Sequence, residues 1–235
     1  MAEKSKIEWT ESTWNPVTGC TQISEGCQNC YAKRMAKRLC AMGQKKYSKG
    51  FKVVTHYECL NEPLNWKKPQ IIFVCSMSDL FHKDVPDEFI IEVFKSMNKA
   101  YWHTFQVLTK RADRLAEIAN KLNWTPNIWI GVTIENNLHV DRINALKNIP
   151  AKIKYLSVEP MLSEINDLNL NDISWVIVGG ESGPGARPIK EEWILPIRDK
   201  CQKLKIPFFF KHWGGVNKKA NGSLLQGKEW KELPI

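Results

Sequence analysis

Residues 70–82 read QIIFVCSMSDLFH. Four apolar, β-prone residues, Ile71 to Val74, run into small polar groups that end at Asp79 and His82. A short run that is apolar on both faces reads as a strand covered on both sides, as the strands of a parallel sheet are. The same plan recurs as TFQVLTKRADR (104–114), NIWIGVTIENN (127–137), IKYLSVEPMLS (153–163), SWVIVGGESGPGARP (174–188) and IPFFFKHWGG (206–215). Between these runs lie amphipathic stretches: DEFIIEVFKSMNKA (87–100), RADRLAEIANKLN (111–123), NLHVDRINALKNI (137–149) and KEEWILPIRDKCQKL (190–204). Their apolar residues recur at three and four, the helical spacing. Strands alternating with helices imply βα units on a parallel sheet. With a first strand expected near KIEWTEST (6–13), the rhythm predicts a partial βα barrel of about six parallel strands with outer helices.

A βα barrel carries its site at the carboxyl ends of its strands. The polar tails there supply Ser76, Ser78 and Asp79, then Thr109, Lys110 and Arg111, then Thr133, Glu135 and Asn136. Later tails add Ser157 and Glu159, Gly179, Gly180 and Glu181, and finally Lys211, His212 and Trp213. Strand ends are often polar simply because they emerge into water. Carboxylates directly after apolar cores, at Glu135, Glu159 and Glu181, argue for a ligand instead. Adjacent glycines at Gly179 and Gly180 allow close backbone approach. The segment lacks the GK[ST] of a phosphate loop and the G-x-G-x-x-G of a dinucleotide fold, which argues against those ligands.

The 235 residues suit one domain, 1–235, and the 43% apolar content is enough for a sizeable core. The formal charge of +9 fits either a polyanionic partner such as DNA or a lysine-rich surface. Ten tryptophans, several beside basic residues, fit either stacking platforms for bases or ordinary core positions. No apolar run approaches the ~18 residues of a membrane span. The start MAEKSKIEWTEST has no apolar signal region. Both point to a cytoplasmic, reducing setting, where clustered cysteines serve metals or redox chemistry rather than disulfides.

Such a cluster stands in CTQISEGCQNCYA (20–32), which holds Cys20, Cys27 and Cys30. Three thiols are too many for one disulfide and too few for a closed zinc site. The spacing alone leaves three readings: an iron–sulfur cubane with one open iron, a Cys3His zinc site completed by His56 or His82, or a chance group of thiols. The loop precedes the helical stretch YAKRMAKRL (31–39), which puts it at the same barrel end as the polar tails.

The motifs WNPVTGC (14–20), GCQNCYA (26–32), SMSDLFH (76–82), LTKR (108–111), GVTIEN (131–136), SVEPML (157–162) and GGESGPGARP (179–188) together resemble a phage- and bacteria-associated three-cysteine family of the radical S-adenosylmethionine superfamily. The likeness runs from Trp14 to Trp213. The cysteine spacing, C-x6-C-x2-C, departs from the superfamily's usual C-x3-C-x2-C in its first gap. Among better-understood members the chain is most similar to the spore photoproduct lyases, which repair thymine lesions in DNA.

The resemblance implies a [4Fe–4S] cluster on Cys20, Cys27 and Cys30, whose open iron chelates the methionine end of S-adenosylmethionine. It also implies an electron donor such as flavodoxin or ferredoxin, and a radical enzyme that acts as a lyase or base modifier. In that superfamily a Gly-Gly-Glu segment after the second strand contacts the methionine amino group. Here those letters fall on a later strand, and Ser76, Ser78 and Asp79 stand in the corresponding place. The cofactor pocket is therefore expected from Ser76, Ser78, Asp79, Thr133, Glu135, Asn136, Ser157, Glu159, Gly179, Gly180 and Glu181. Lys110, Arg111, Arg187, Lys211, His212 and Trp213 are expected to meet the substrate, with Trp213 as the stacking platform. Cys75 and Tyr101 are candidate hydrogen donors. The expected substrate is a base in DNA. The alternatives are a small molecule or peptide, or a non-catalytic nucleic-acid-binding protein with structural zinc.

Overall fold

The computed structural model describes residues 3–166 and 168–234; Met1, Ala2, Asp167 and Ile235, the ends of the expected 1–235 unit among them, lie outside that description. Seven strands lie side by side in chain order. They are β1 (Ser12–Trp14), β2 (Ile71–Val74), β3 (Thr104–Thr109), β4 (Ile128–Thr133), β5 (Lys154–Val158), β6 (Trp175–Val178) and β7 (Phe208–Phe210). All six pairings between them are parallel. β1 and β7 are the two ends of this parallel run and do not pair, so the sheet curls into a half-barrel of seven strands rather than closing. The short strand Glu3–Lys4 runs antiparallel outside β1.

The α-helices between the strands are α1 (Tyr31–Ala41), α2 (Asp87–Lys99), α3 (Ala112–Ile118), α4 (Asn144–Lys147) and α5 (Glu191–Leu204), and a four-residue helix, Lys218–Asn221, follows β7. The stretch 137–149 forms less regular helix than its periodicity implies, with a 3₁₀ segment Asn137–Ile143 leading into the four-residue α4. The β5–β6 connection contains no helix among the described residues. Its buried Met161, Ile165, Leu168, Leu170 and Ile173 fill the outer layer instead.

Side chains alternate along each strand, and the two faces differ. The outward row includes Ile72, Val74, Phe105, Val107, Ile130, Val132, Leu156, Val158, Val176 and Val178. It packs on Phe89, Ile90, Val93, Leu115, Ile194 and Ile197 of the helices. The inward row is aromatic at its lower level: Phe73, Trp129, Tyr155, Trp175 and Phe209. Trp9, from the segment before β1, completes this cluster.

Trp175 lies at its centre, with ring centroids 6.1 Å from Trp129, 6.1 Å from Phe209 and 6.2 Å from Trp9 in edge-to-face geometry. Such pairs contribute about 0.5–1.5 kcal/mol each beyond the area they bury. The tail ties in here as well, since the Trp175 indole donates to the Glu232 carbonyl at 2.8 Å. All ten tryptophans belong to core or rim: Trp9, Trp14, Trp129 and Trp175 are buried, and Trp66, Trp102, Trp124, Trp193, Trp213 and Trp230 pack on the outer core.

Gly131 faces inward on β4 because Tyr155 takes the space a side chain would need. A Cβ there would lie 2.6 Å from the Tyr155 ring. That ring is fully buried, and its hydroxyl is fixed on the Val107 carbonyl at 3.0 Å. Gly131→Ala is therefore expected to cost about 1–3 kcal/mol through overpacking. Urea unfolding should show a lower midpoint at an unchanged slope.

Candidate active site

Above the aromatic floor the half-barrel opens into a cavity of about 260 Å³ at the carboxyl ends of the strands. Ile7, Trp9, Phe73 and Leu108 line its base. Its walls come from Cys75, Ser76, Ser78 and Asp79 after β2, Thr109 at the end of β3 with Lys110 and Arg111 beyond it, and Thr133 at the end of β4. Ser157 of β5 with Glu159, then Gly180, Glu181 and Ser182, and finally Lys211 and His212 continue the wall. Cys20, Cys27, Asn29, Cys30 and Tyr31 close it from the loop before α1.

That loop has little apolar burial to hold it: Ile23 is 42% exposed, and Thr21, Gln22, Glu25 and Gln28 are exposed. Three carboxylates at strand ends, each paired with an arginine, hold it instead. Asp79 accepts from Arg111 at 3.3 Å, and Arg111 also donates to the Thr21 carbonyl at 3.0 Å. Glu135, fully buried, accepts from Arg142 at 2.6 Å and from the Ser24 hydroxyl at 2.5 Å. Glu181 accepts from Arg187 at 2.6 Å and from the Asn29 amide at 3.0 Å, while Arg187 reaches the Glu25 carbonyl at 2.9 Å. Gly26 lies so close to Glu135 that a Cβ there would stand 2.5 Å from the carboxylate oxygen.

The charges follow from these contacts. Burial pushes the Glu135 carboxyl up, but Lys110 and Arg142 outweigh it and hold the group below its ordinary range. Glu181 is likewise held low, its burial outweighed by hydrogen bonds from Arg187 and Asn29. Burial and the neighbouring Asp79 push the Cys20 thiol up to about 11.

Glu159 differs from the other three. It faces the cavity, accepts from the Ser157 hydroxyl at 3.2 Å and pairs with the Lys211 ammonium at 2.9 Å. Burial would push Lys211 down, but Glu159 holds it above its ordinary value. Burial and the Lys211 charge push His212 down to about 4, so it is neutral near pH 7.

The cavity thus brings together Cys20, Cys27, Cys30, Cys75, Ser76, Ser78, Asp79, Lys110, Arg111, Thr133, Ser157, Glu159, Gly180, Glu181, Lys211 and His212. Other expected residues lie outside its lining. Glu135 and Arg187 stand behind the cysteine loop. Asn136 caps the Asn137–Ile143 segment by accepting from Leu138 N, and Gly179 packs against Glu159 from behind. Trp213 packs edge-on to Phe210, with its indole on the Leu224 carbonyl. Tyr101 is 75% exposed in the turn before β3, at the amino end of the sheet and away from the cavity. Cys75 is 3% exposed, and burial pushes its thiol up to about 12.

Residue type alone did not mark Ser24, Asn29, Arg142 or Tyr31. Ser24 and Asn29 could have been found as the polar residues interleaved with the cysteines. Tyr31 follows Cys30 directly and places its hydroxyl on the Ser76 carbonyl, inside the cavity.

Three thiols on one cavity wall are the ligand type that a cubane cluster takes. One zinc needs four ligands about 2.0–2.3 Å from a common point, whereas a cubane spreads its thiolates over separate irons. Among the described residues no three His, Cys, Asp or Glu side chains converge tightly enough for a single ion. His56 faces Thr18 and Glu58, and His82 faces Thr21, so neither completes the cysteine set.

The architecture is a partial βα barrel, a curled half-barrel of seven parallel strands. Two solved structures of spore photoproduct lyase share it. A cysteine-to-serine mutant matches at 13% identity and a TM-score of 0.51, over 76% of this chain and 58% of that one. The complex with dinucleoside spore photoproduct matches at 10% identity and 0.51, over 86% and 64%. The chain therefore spans less than two thirds of either lyase chain, and at these identities the likeness is one of fold. No curated protein matches the sequence. The chain belongs to the family described as "Protein of unknown function (DUF5131)", whose profile matches residues 4–234.

Glu135→Gln is expected to release the cysteine loop, since breaking a buried ion pair costs about 3–5 kcal/mol. Amide exchange in residues 20–30, corrected for intrinsic rates, should accelerate far more than in β4. Acid should act in the same direction. The folded values of Glu135 and Glu181 are depressed, so their stabilisation is complete above the unfolded carboxyl value of about 4.3 and is lost as pH falls through the lower folded values.

Proposed function

We propose that this chain is a radical S-adenosylmethionine enzyme acting on a base in nucleic acid. The observation that carries the reading is that three cysteine thiols and the end groups of six strands line one cavity at the carboxyl mouth of a half-barrel. Cys20, Cys27 and Cys30 would hold a [4Fe–4S] cluster, and Asp79, Glu135 and Glu181 with their arginines would keep the loop in place around it. When bound, the cluster and S-adenosylmethionine supply one-electron cleavage of the sulfonium and a radical that removes hydrogen from the substrate.

The chain's own part is binding, orientation and exclusion of water. The Glu159–Lys211 pair offers opposite charges to the zwitterionic methionine end. Ser157 and Thr133 present hydroxyls on the inner face, and the apolar base of Ile7, Trp9, Phe73 and Leu108 keeps water out below. The Tyr31 hydroxyl donates to the Ser76 carbonyl at the cavity wall. A flavodoxin- or ferredoxin-type protein would supply the electron.

Two features support a nucleic-acid substrate. The net charge is +9, and no Asp or Glu occurs from Gln28 to Tyr57, beside the cavity mouth, where eight Lys and Arg residues stand. A complex with dinucleoside spore photoproduct is known for one protein of the same fold. The free cysteines suit a reducing, cytoplasmic setting, and among the described residues no helix is long and apolar enough to cross a membrane.

Anaerobic reconstitution should load about four iron per chain, and alanine at Cys20, Cys27 or Cys30 should abolish loading. Glu159→Gln should keep the iron yet weaken S-adenosylmethionine at least about tenfold, or 1.4 kcal/mol, by titration calorimetry. Zinc as the only tightly held metal would favour the non-catalytic alternative. Loaded iron without reductive cleavage of S-adenosylmethionine would remove the radical chemistry.

A further inference from the structure

A second depression runs beside the cavity, a groove of about 990 Å³ lined in part by Met35, Leu39, Lys46, Lys67, Lys68 and Ser76. Ser76 lines both the groove and the cavity. Helix α1 joins them too. Tyr31 lines the cavity, and Met35 and Leu39, four and eight residues on along the same helical row, line the groove. Two apolar residues of this row are open to solvent, Tyr31 at 49% and Met35 at 42%. Arg38, exposed and three residues beyond Met35, flanks the row. Lys67 and Lys68 are exposed on the opposite bank. Glu62 is the one carboxylate in the lining.

We propose that this groove carries a single-stranded segment of nucleic acid into the cavity, with its phosphates on Lys46, Lys67, Lys68 and Arg38 and its bases against Tyr31 and Met35. The proposal rests on the nucleic-acid half of the function above. A surface that alternates exposed apolar side chains with lysines matches a polymer that alternates planar bases with anions. A duplex would meet the lysines but hide its base faces from the apolar row. Of the ten tryptophans, Trp66 also lines the groove, half-buried against the outer core.

The test is fluorescence anisotropy of a labelled oligothymidylate across a salt series, using the full chain as isolated. Reversing Lys67 and Lys68 together (Lys67→Glu with Lys68→Glu) should weaken binding at least tenfold. It should also flatten the salt slope by about 1.4, two phosphate contacts at about 0.7 each on a single strand. The matched control, Lys147→Glu with Lys152→Glu, reverses two exposed lysines, one ending α4 and one just before β5, near the amino ends of the strands, and should change little. Met35→Ser should weaken binding at an unchanged salt slope.

Equal losses in the groove and control pairs, or no loss in the groove pair, overturn the groove while leaving a nucleic-acid substrate in place. Displacement by polyglutamate as readily as by unlabelled oligonucleotide overturns it in favour of an acidic protein. Absence of wild-type binding at every salt concentration overturns both the groove and the nucleic-acid substrate. Iron loading and S-adenosylmethionine cleavage, measured separately, still judge the radical chemistry on their own.

Discussion

An irregular loop can be held over a cavity only if something other than apolar burial fixes it, and here the fixing is done by carboxylate–arginine pairs. The cysteine loop leaves Thr21, Gln22, Ile23, Glu25 and Gln28 exposed and buries only Ser24, so burial contributes little to its position. Asp79, Glu135 and Glu181 stand beyond the ends of the alternate strands β2, β4 and β6, where the sheet has already fixed the backbone. Each is paired with a guanidinium, and each pair extends to a group of the loop: the Thr21 carbonyl, the Ser24 hydroxyl, or the Asn29 amide with the Glu25 carbonyl. Burying a carboxylate such as Glu135 is costly, and pairing offsets the cost without adding much net stability. What the pairs contribute is position. Three points of attachment on three strands leave the loop little freedom to move its thiols relative to the cavity.

The half-barrel divides these tasks by height. Low on the inner face, wide aromatic side chains fill the concavity that an unclosed sheet leaves, and Trp9 from the chain start joins them. One turn of the pleat higher, the inward positions become Thr133, Ser157 and Lys211, which are small or charged. The change from Trp129 through Gly131 to Thr133 along β4 shows the gradient in one strand: ring, gap, hydroxyl. The floor stabilises the curl of the sheet and the mouth receives the ligand. The floor also holds the buried Gln106, in register between Phe73 and Trp129, whose amide donates to the Trp9 carbonyl, whereas rings in the upper layer would fill the cavity.

The sequence revealed most of this scaffold and less of its wiring. Strands β2 to β7 were legible because burial on both faces makes each an apolar run. β1 was displaced to the end of its expected window because only Trp14 of Ser12–Trp14 is strongly apolar. The helixless β5–β6 connection left no periodic signal, since buried residues in coil need no fixed spacing. Glu135 and Glu181 stood out as carboxylates after strands. Residue type cannot say whether a carboxylate meets a ligand or a partner, and the partners Arg142 and Arg187 lie seven and six residues downstream in loops of irregular path. Trp213 followed a strand end like the other candidates, yet β7 stops at Phe210, so three residues further on the strand alternation no longer sets its direction and its ring packs on Phe210.

The choice of cation at each carboxylate separates the three pairs that hold the loop from the Glu159–Lys211 pair. A guanidinium is a planar fork that can grip a carboxylate and a second acceptor at once. Arg111 does so with Asp79 and Thr21, Arg142 with Glu135 and the Thr133 carbonyl, and Arg187 with Glu181 and Glu25. Such contacts are hard to exchange, because losing one leaves two acceptors unpaired. Glu159 is matched by an ammonium instead, a point charge on a flexible stem that can turn to a new partner without unmaking a fork. It is also the member of the four whose contacts hold no part of the cysteine loop. A carboxylate that can release its cation as a ligand arrives suits the binding role proposed for Glu159.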